Sequence, residues 1–166
     1  MFANCDGLHE VILDQTFTNI WNGLFASSGI TKITANYVTR VNGFAFYNCT
    51  NLEEANFPLM EGISNAHDAV TWAIFNGCTN LKKVTLGKLQ TFPNCTQYDY
   101  SRAWFGNCTS LEVVDIGDAV TKVNVSGDAD HVEFRNCPSM KAFIIRNTTV
   151  PELYVTSGDP GVGPKI

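Results

Sequence analysis

Five cysteines recur behind an asparagine or glycine at a repeated spacing: Asn4-Cys5, Asn48-Cys49, Gly77-Cys78, Asn107-Cys108 and Asn136-Cys137. A thiol can serve as a nucleophile when a neighbouring base holds it as thiolate, as a zinc ligand when His or Cys partners converge, or as half of a disulfide. The chain has no C-x-x-C, no H-E-x-x-H, no G-x-S-x-G and no G-x-x-x-x-G-K-[ST]. Its histidines, His9, His67 and His131, share no spacing that would gather them on one metal. Cys95 stands apart from the other five; with His67 it makes a conceivable dyad, but without motif context it reads as a buried or idle thiol. Asp99, Asp128 and Asp130 could offer oxygens to calcium, yet SGDAD is not an EF-hand loop and no G-G-x-G-x-D pattern accompanies it. No catalytic residue, metal site or cofactor is therefore expected. N-x-[ST] matches at Asn48, Asn94, Asn107, Asn124 and Asn147 read as by-products of bend chemistry, and would be glycan sites only under eukaryotic secretion.

The elements that position the Asn-Cys pairs appear when the chain is searched for internal repeats. Leu8, Ile30, Leu52, Leu81, Leu111 and Met140 form one apolar column, with steps of 22, 22, 29, 30 and 29 residues. Three residues on stand Val11, Ile33, Ala55, Val84, Val114 and Phe143; five on stand Leu13, Ala35, Phe57, Leu86, Ile116 and Ile145. Upstream lie Phe2, Leu24, Phe46, Phe75, Phe105 and Phe134, followed by the Asn-Cys position, degenerate as Ala26-Ser27 in the second turn. The alternation in L-x-x-V-x-L predicts a short strand with one buried side. A second short signal follows in VTRV (38–41), LQTF (89–92) and VTKV (120–123), and no ten-residue helical pattern intervenes. Six such turns predict a solenoid of parallel ladders in which each turn touches only its neighbours.

The recurring F-x-x-C-x-x-L-x-x-V-x-L followed by V-T-x-V resembles the BspA-type leucine-rich repeats of bacterial surface proteins, over essentially residues 2 to 155. The resemblance implies a leucine-rich repeat solenoid of the α/β horseshoe class, β-rich, with short parallel strands and little helix. It implies a repeat domain over 1–155, with turns starting near 2, 24, 46, 75, 105 and 134, and a tail over 156–166. It also implies a bacterial cell-surface or secreted setting and a host or bacterial macromolecule as ligand. The chain opens inside a repeat without an obvious N-terminal cap, whereas LYVTSGDPGVGPKI is similar to the strand-plus-turn that often ends such arrays. In this frame the cysteines fill a tight bend; in-register side chains about 5 Å apart point the same way, so free structural thiols are expected rather than disulfides.

With 45% apolar and 16% charged residues the chain can bury a sizeable core, and its net charge of −5 argues against nucleic acid or an anionic membrane as partner. No apolar run is long enough for a spanning helix, so no direct membrane insertion is expected. One residue past each leucine position the chain reads His9, Thr31, Glu53, Lys82, Glu112 and Lys141; two past, Glu10, Lys32, Glu54, Lys83, Val113 and Ala142. Alternating signs on stacked strands predict a self-neutralised face that fixes register. Function is expected instead in the residues that lengthen turns three to five, at 64–74, 93–104 and 124–133, because insertions at one repeat position often form a binding face. The first two of these segments supply His67, Asp68, Trp72, Tyr98, Asp99, Tyr100, Arg102 and Trp104, aromatic and polar groups suited to a protein or glycan ligand. An alternative site is the strand face at Glu54, Asn56, Lys83, Thr85 and Asp115. The resulting expectation is a non-enzymatic adhesion module, with a stiff spacer or receptor-contacting part of a phage or other particle as the alternative.

Overall fold

The computed structural model describes residues 2–62, 73–92, 103–126, 134–147 and 152–156. Each turn of the chain opens with a bend, passes through a first strand and rounds a corner; five of the six then enter a second short strand, and the third makes a lone bridge at Gly62 instead. The first strands are β1 (Glu10–Ile12), β3 (Lys32–Thr34), β5 (Glu54–Phe57), β6 (Lys83–Leu86), β8 (Val113–Asp115) and β10 (Ala142–Ile144). The second strands are β2 (Asn19–Ile20), β4 (Arg40–Val41), β7 (Thr91–Phe92), β9 (Lys122–Ser126) and β11 (Glu152–Thr156). Among the described residues there is no helix.

All first strands join one six-stranded parallel sheet in the order β1-β3-β5-β6-β8-β10. Parallel pairing without crossover helices is possible because each strand is separated from the next by one whole turn of the coil. Val11 pairs with Ile33, Ile33 with Ala55, Ala55 with Val84, Val84 with Val114 and Val114 with Phe143, so the column read from sequence is a physical row across the sheet. The ladder extends one residue upstream: Thr31, Glu53, Lys82, Glu112 and Lys141 each donate a backbone N–H to the carbonyl of the corresponding residue one turn earlier, at 2.8 to 2.9 Å.

The core is a continuous stack between the six-stranded sheet and the second strands, which form a three-stranded and a two-stranded sheet. Ile33, Ala55, Val84 and Val114 are fully buried, as are Leu52, Leu81 and Leu111. Behind them runs a column of phenylalanine rings, Phe2, Phe25, Phe46, Phe75, Phe105 and Phe134, with successive centroids 5.3 to 5.8 Å apart and planes within 14° of parallel. Offset ring pairs of this kind contribute about 0.5–1.5 kcal/mol each beyond area burial.

In the second turn the ring is Phe25 and not Leu24, and the small polar residue in the cysteine slot is Ser28 and not Ser27. The backbone explains the shift. Ser28 donates its N–H to Phe25 as Cys49 does to Phe46, and Gly29 then leads directly into Ile30, one residue sooner than in the third turn. Only glycine fits this shortened bend, since a Cβ at position 29 would lie 1.9 Å from the Asp6 carbonyl oxygen.

Candidate functional site

The asparagine before each cysteine has a backbone task. Asn4, Asn48, Asn107 and Asn136 adopt φ between 56° and 59°, Ser27 takes 54° at the same place, and Gly77 takes 81°. This left-handed region costs most residues energy but is tolerated by asparagine and glycine. The turn so formed aims the next side chain inward. Cys49 Sγ donates to the Phe25 carbonyl at 2.9 Å, Cys78 to Phe46 at 3.0 Å, Cys108 to Phe75 at 3.0 Å and Cys137 to Phe105 at 2.9 Å. Each thiol thus caps a carbonyl of the preceding turn. All of Cys5, Cys49, Cys78, Cys108 and Cys137 are free.

Burial raises the pKa of the Cys49 thiol and carries those of Cys78 and Cys108 well above the ordinary thiol range, with the neighbouring cysteines reinforcing the rise in the latter two. Burial pushes Cys137 up to about 11. These are the opposite of activated nucleophiles, which sit in electropositive, partly open surroundings. Cys95 and His67, and the carboxylates Asp99, Asp128 and Asp130, lie outside the described residues.

The sheet face opposite the core carries two outward rows. Glu10, Lys32, Glu54, Lys83, Val113 and Ala142 lie in register, and so do Ile12, Thr34, Asn56, Thr85, Asp115 and Ile144. The alternating charges pair across turns: Lys82 with Glu53 and Lys141 with Glu112, each at 2.8 Å, and Lys32 with Glu54 at 3.8 Å. The Glu53 carboxylate raises the Lys82 pKa by hydrogen bond and charge. All six side chains are more than two-fifths exposed, so these pairs set register more than they add stability. A fourth pair, Lys88 with Asp118 at 2.8 Å, bridges turns four and five at the corner after the strand.

Within the alternative set, Glu54, Asn56, Lys83 and Thr85 are partly or fully exposed. Asp115 is not. It is 6% exposed, accepts the Gly117 N–H at 3.0 Å and is held by the Arg146 guanidinium through both carboxylate oxygens. A buried carboxylate requires such a partner, so Asp115 clamps the fifth turn to the sixth and is withdrawn from any ligand.

Trp104 needs a like correction. It is 1% exposed and packs against Phe92 and Phe105, with centroids 6.0 and 6.4 Å away. An indole beside the ring column is drawn into the core by the area it buries, so Trp104 is no displayed anchor. His67, Asp68, Trp72, Tyr98, Asp99, Tyr100 and Arg102 lie outside the described residues.

What the structure does describe is the frame that holds their segments. The chain enters them after Gly62, bridged to Arg40, and after Phe92, paired with Val123. It returns at Ile74 and Trp104, whose carbonyls accept the N–H groups of Phe46 and Phe75. The turns above and below remain stacked as β5 on β6 and β6 on β8, without a gap in the sheet.

Sequence columns did not single out one further surface. Ile12, Phe17, Trp21, Tyr37 and Leu59 are large apolar side chains with 41 to 80% exposure, all in the first three turns. The signal was present at the corner position, where Tyr37 and Leu59 precede Lys88 and Asp118 in successive turns.

Set beside known families, the chain matches the BspA type Leucine rich repeat region in six copies, over residues 1–101 and 62–152. The chain belongs to this family. No curated protein and no solved structure matches it. BspA-type repeats are typically interaction modules, and the six copies correspond to the six stacked turns. Among the described residues no helix is long and apolar enough to cross a membrane.

Proposed function

We propose that this chain is a non-enzymatic adhesion module of a bacterial surface or secreted protein, binding a protein or glycan through the segments that lengthen its middle turns. The observation that carries the reading is the shared frame of those segments. One leaves after the bridge at Gly62 and one after β7, and both return beside the ring column without disturbing the register of the six-stranded sheet. A solenoid whose turns lengthen from 22 to 29 or 30 residues without a break in stacking is free to vary the added ones for recognition. His67, Asp68, Trp72, Tyr98, Asp99, Tyr100 and Arg102 are the proposed contacts; Trp104, buried in the core, is left out of the set. The acidic balance of the chain, −5, disfavours nucleic acid as ligand. A second reading, favoured by the solvent-facing polar rows, places contact on the strand face at Glu54, Asn56, Lys83 and Thr85.

The test is binding to glycan and host-protein arrays, followed by substitution. Tyr98→Ala and Tyr100→Ala are expected to reduce binding at least tenfold with an unchanged circular dichroism spectrum, as aromatic anchors commonly do. Normal binding by both, with loss in Asn56→Ala or Lys83→Ala, would move the site to the strand face. Absence of any ligand for the folded chain would overturn the adhesion reading in favour of a stiff spacer within a larger particle.

A further inference from the structure

One edge of the solenoid is built without charge. The chain has 11 lysines and arginines and 16 aspartates and glutamates, yet the bends that open turns two to five, at 23–30, 44–52, 73–81 and 103–111, hold none of them and no histidine. The ion pairs lie on the sheet face and at the corner after it. The bends offer amides and hydroxyls instead, with Asn48, Thr50, Asn51, Asn80 and Asn107 exposed. Backbone hydrogen bonds stack them in register, from the N–H of Phe25 to Ala45, of Phe46 to Ile74 and of Phe75 to Trp104. Each of the four has a described bend before it and after it, so this edge is a side of the stack and not an end.

The bend of the third turn departs from its neighbours. Two residues before the buried ring stand Gly23, Phe44, Ala73 and Ala103; one after it stand Ala26, Tyr47, Asn76 and Gly106. Both columns are small except for Phe44 and Tyr47, because Asn76 is turned inward, 4% exposed, and donates its amide to the Ala103 carbonyl at 3.3 Å. Phe44 and Tyr47 are half-buried and meet edge to face, with centroids 5.6 Å apart and planes at 72°. Phe44 also holds a φ of 56°, the left-handed backbone that Gly23 takes at 60°. For a bulky side chain this is strained, and a ring left partly in solvent offsets less of the cost than a sealed one would. Strain of this kind clusters at ligand-holding sites. The next amide is placed by a gap in the following bend: a Cβ at Gly77 would lie 2.0 Å from Asn48 Oδ1, so glycine leaves the room in which the Asn48 side chain sits.

We propose that Phe44 and Tyr47, with Asn48 and Thr50 beside them, form a binding site for an uncharged saccharide. A pyranose with equatorial hydroxyls presents a face of C–H bonds to an aromatic ring, while the hydroxyls at its rim need neutral donors and acceptors such as the Asn48 amide and the Thr50 and Tyr47 hydroxyls. An edge without charge selects against acidic sugars and charged peptides, whose ionic groups would be desolvated with nothing to pair them. The small residues at 23, 26, 73 and 106 leave the aromatic pair standing above its flanks. This site lies on the fixed frame, apart from the added segments.

Saturation-transfer NMR of the full chain with neutral tetrasaccharides of glucose, galactose, mannose and N-acetylglucosamine tests it. Transfer is expected to the ring C–H protons of at least one of the four, and Phe44→Gly and Tyr47→Ala should each weaken its binding about tenfold or more. Phe44→Gly installs the residue that the second turn has at Gly23, so relief of the backbone offsets the lost ring contact and the melting temperature should stay near that of the parent. Tyr98→Ala and Tyr100→Ala should leave this binding unchanged, which separates the site from the one proposed on the added segments. No transfer to any of the four sugars, binding indifferent to both bend variants, a peptide as the ligand lost with them, or a large fall in melting temperature with Phe44→Gly would each overturn the proposal.

Discussion

The first turn and the fourth use nearly the same residues in the same columns and obtain different environments. Leu81 and Val84 are fully buried, whereas Leu8 and Val11 are only partly covered. Cys78 is sealed beneath its neighbours with a strongly raised pKa; Cys5 is partly open. The difference lies in the neighbours, because a turn of a solenoid has little interior of its own and borrows half its burial from each adjacent turn. Position in the stack therefore decides what a given residue is worth.

Leucine truncation should show the contrast most strongly. Leu81→Ala is expected to cost about 2–5 kcal/mol, the range for a fully buried leucine that leaves a cavity, and Leu8→Ala about 1–2 kcal/mol, in chemical denaturation. Equal losses would mean that the first turn is covered in solution.

Glycine substitution gives a smaller effect with the same sense. A Cβ at Gly87 would lie 2.3 Å from the Pro58 carbonyl oxygen, a backbone atom of the turn before, whereas a Cβ at Gly7 meets nothing within 4 Å. Gly87→Ala should destabilise by about 1–3 kcal/mol, as overpacking does. Gly7→Ala should be neutral or stabilise by up to about 1 kcal/mol through the unfolded state, which the same denaturation experiment reads.

The thiols give the finest comparison. At pH 8, Cys5 should react with a disulfide reagent within minutes, while Cys49, Cys78 and Cys108 react only after unfolding. Their folded pKa values are raised, so the unfolded chain releases thiol protons first as pH climbs. The stability linked to these protonated thiols is fully present below the unfolded thiol pKa, about 8.5 to 9. For Cys137 it is then lost up to about pH 11, and for Cys78 and Cys108 as pH rises through their own raised folded values. Melting temperature should accordingly fall from about pH 9 upward, and less so in Cys108→Ala than in the parent. A flat profile through pH 11 would show that the slot is open to water.

Much of this was legible in the chain before any coordinates. A period in apolar residues is set by which side chains must leave water, so the columns through Leu81, Val84 and Leu86 specified strand, register and repeat without reference to a partner. Asn48 and Cys49 likewise announced their bend, because the left-handed backbone selects asparagine and the inward slot selects a small side chain with a weak donor. Two local readings went astray where the chain departs from its own period. The one-residue shortening at Gly29 moved the ring from Leu24 to Phe25, and spacing alone cannot tell a shifted ring from a substituted one. Trp104 and Asp115 were legible as residue types able to meet a ligand, but one is buried beside Phe92 and Phe105 and the other is clamped by Arg146. By itself, then, the sequence determined the periodic part of this protein: the strand, the bend, the thiol slot and the alternation of charge. Only the tertiary structure decided which copy of each column is sealed and which carboxylate is claimed, because exposure is a property of the turn above and the turn below, and no residue carries it alone.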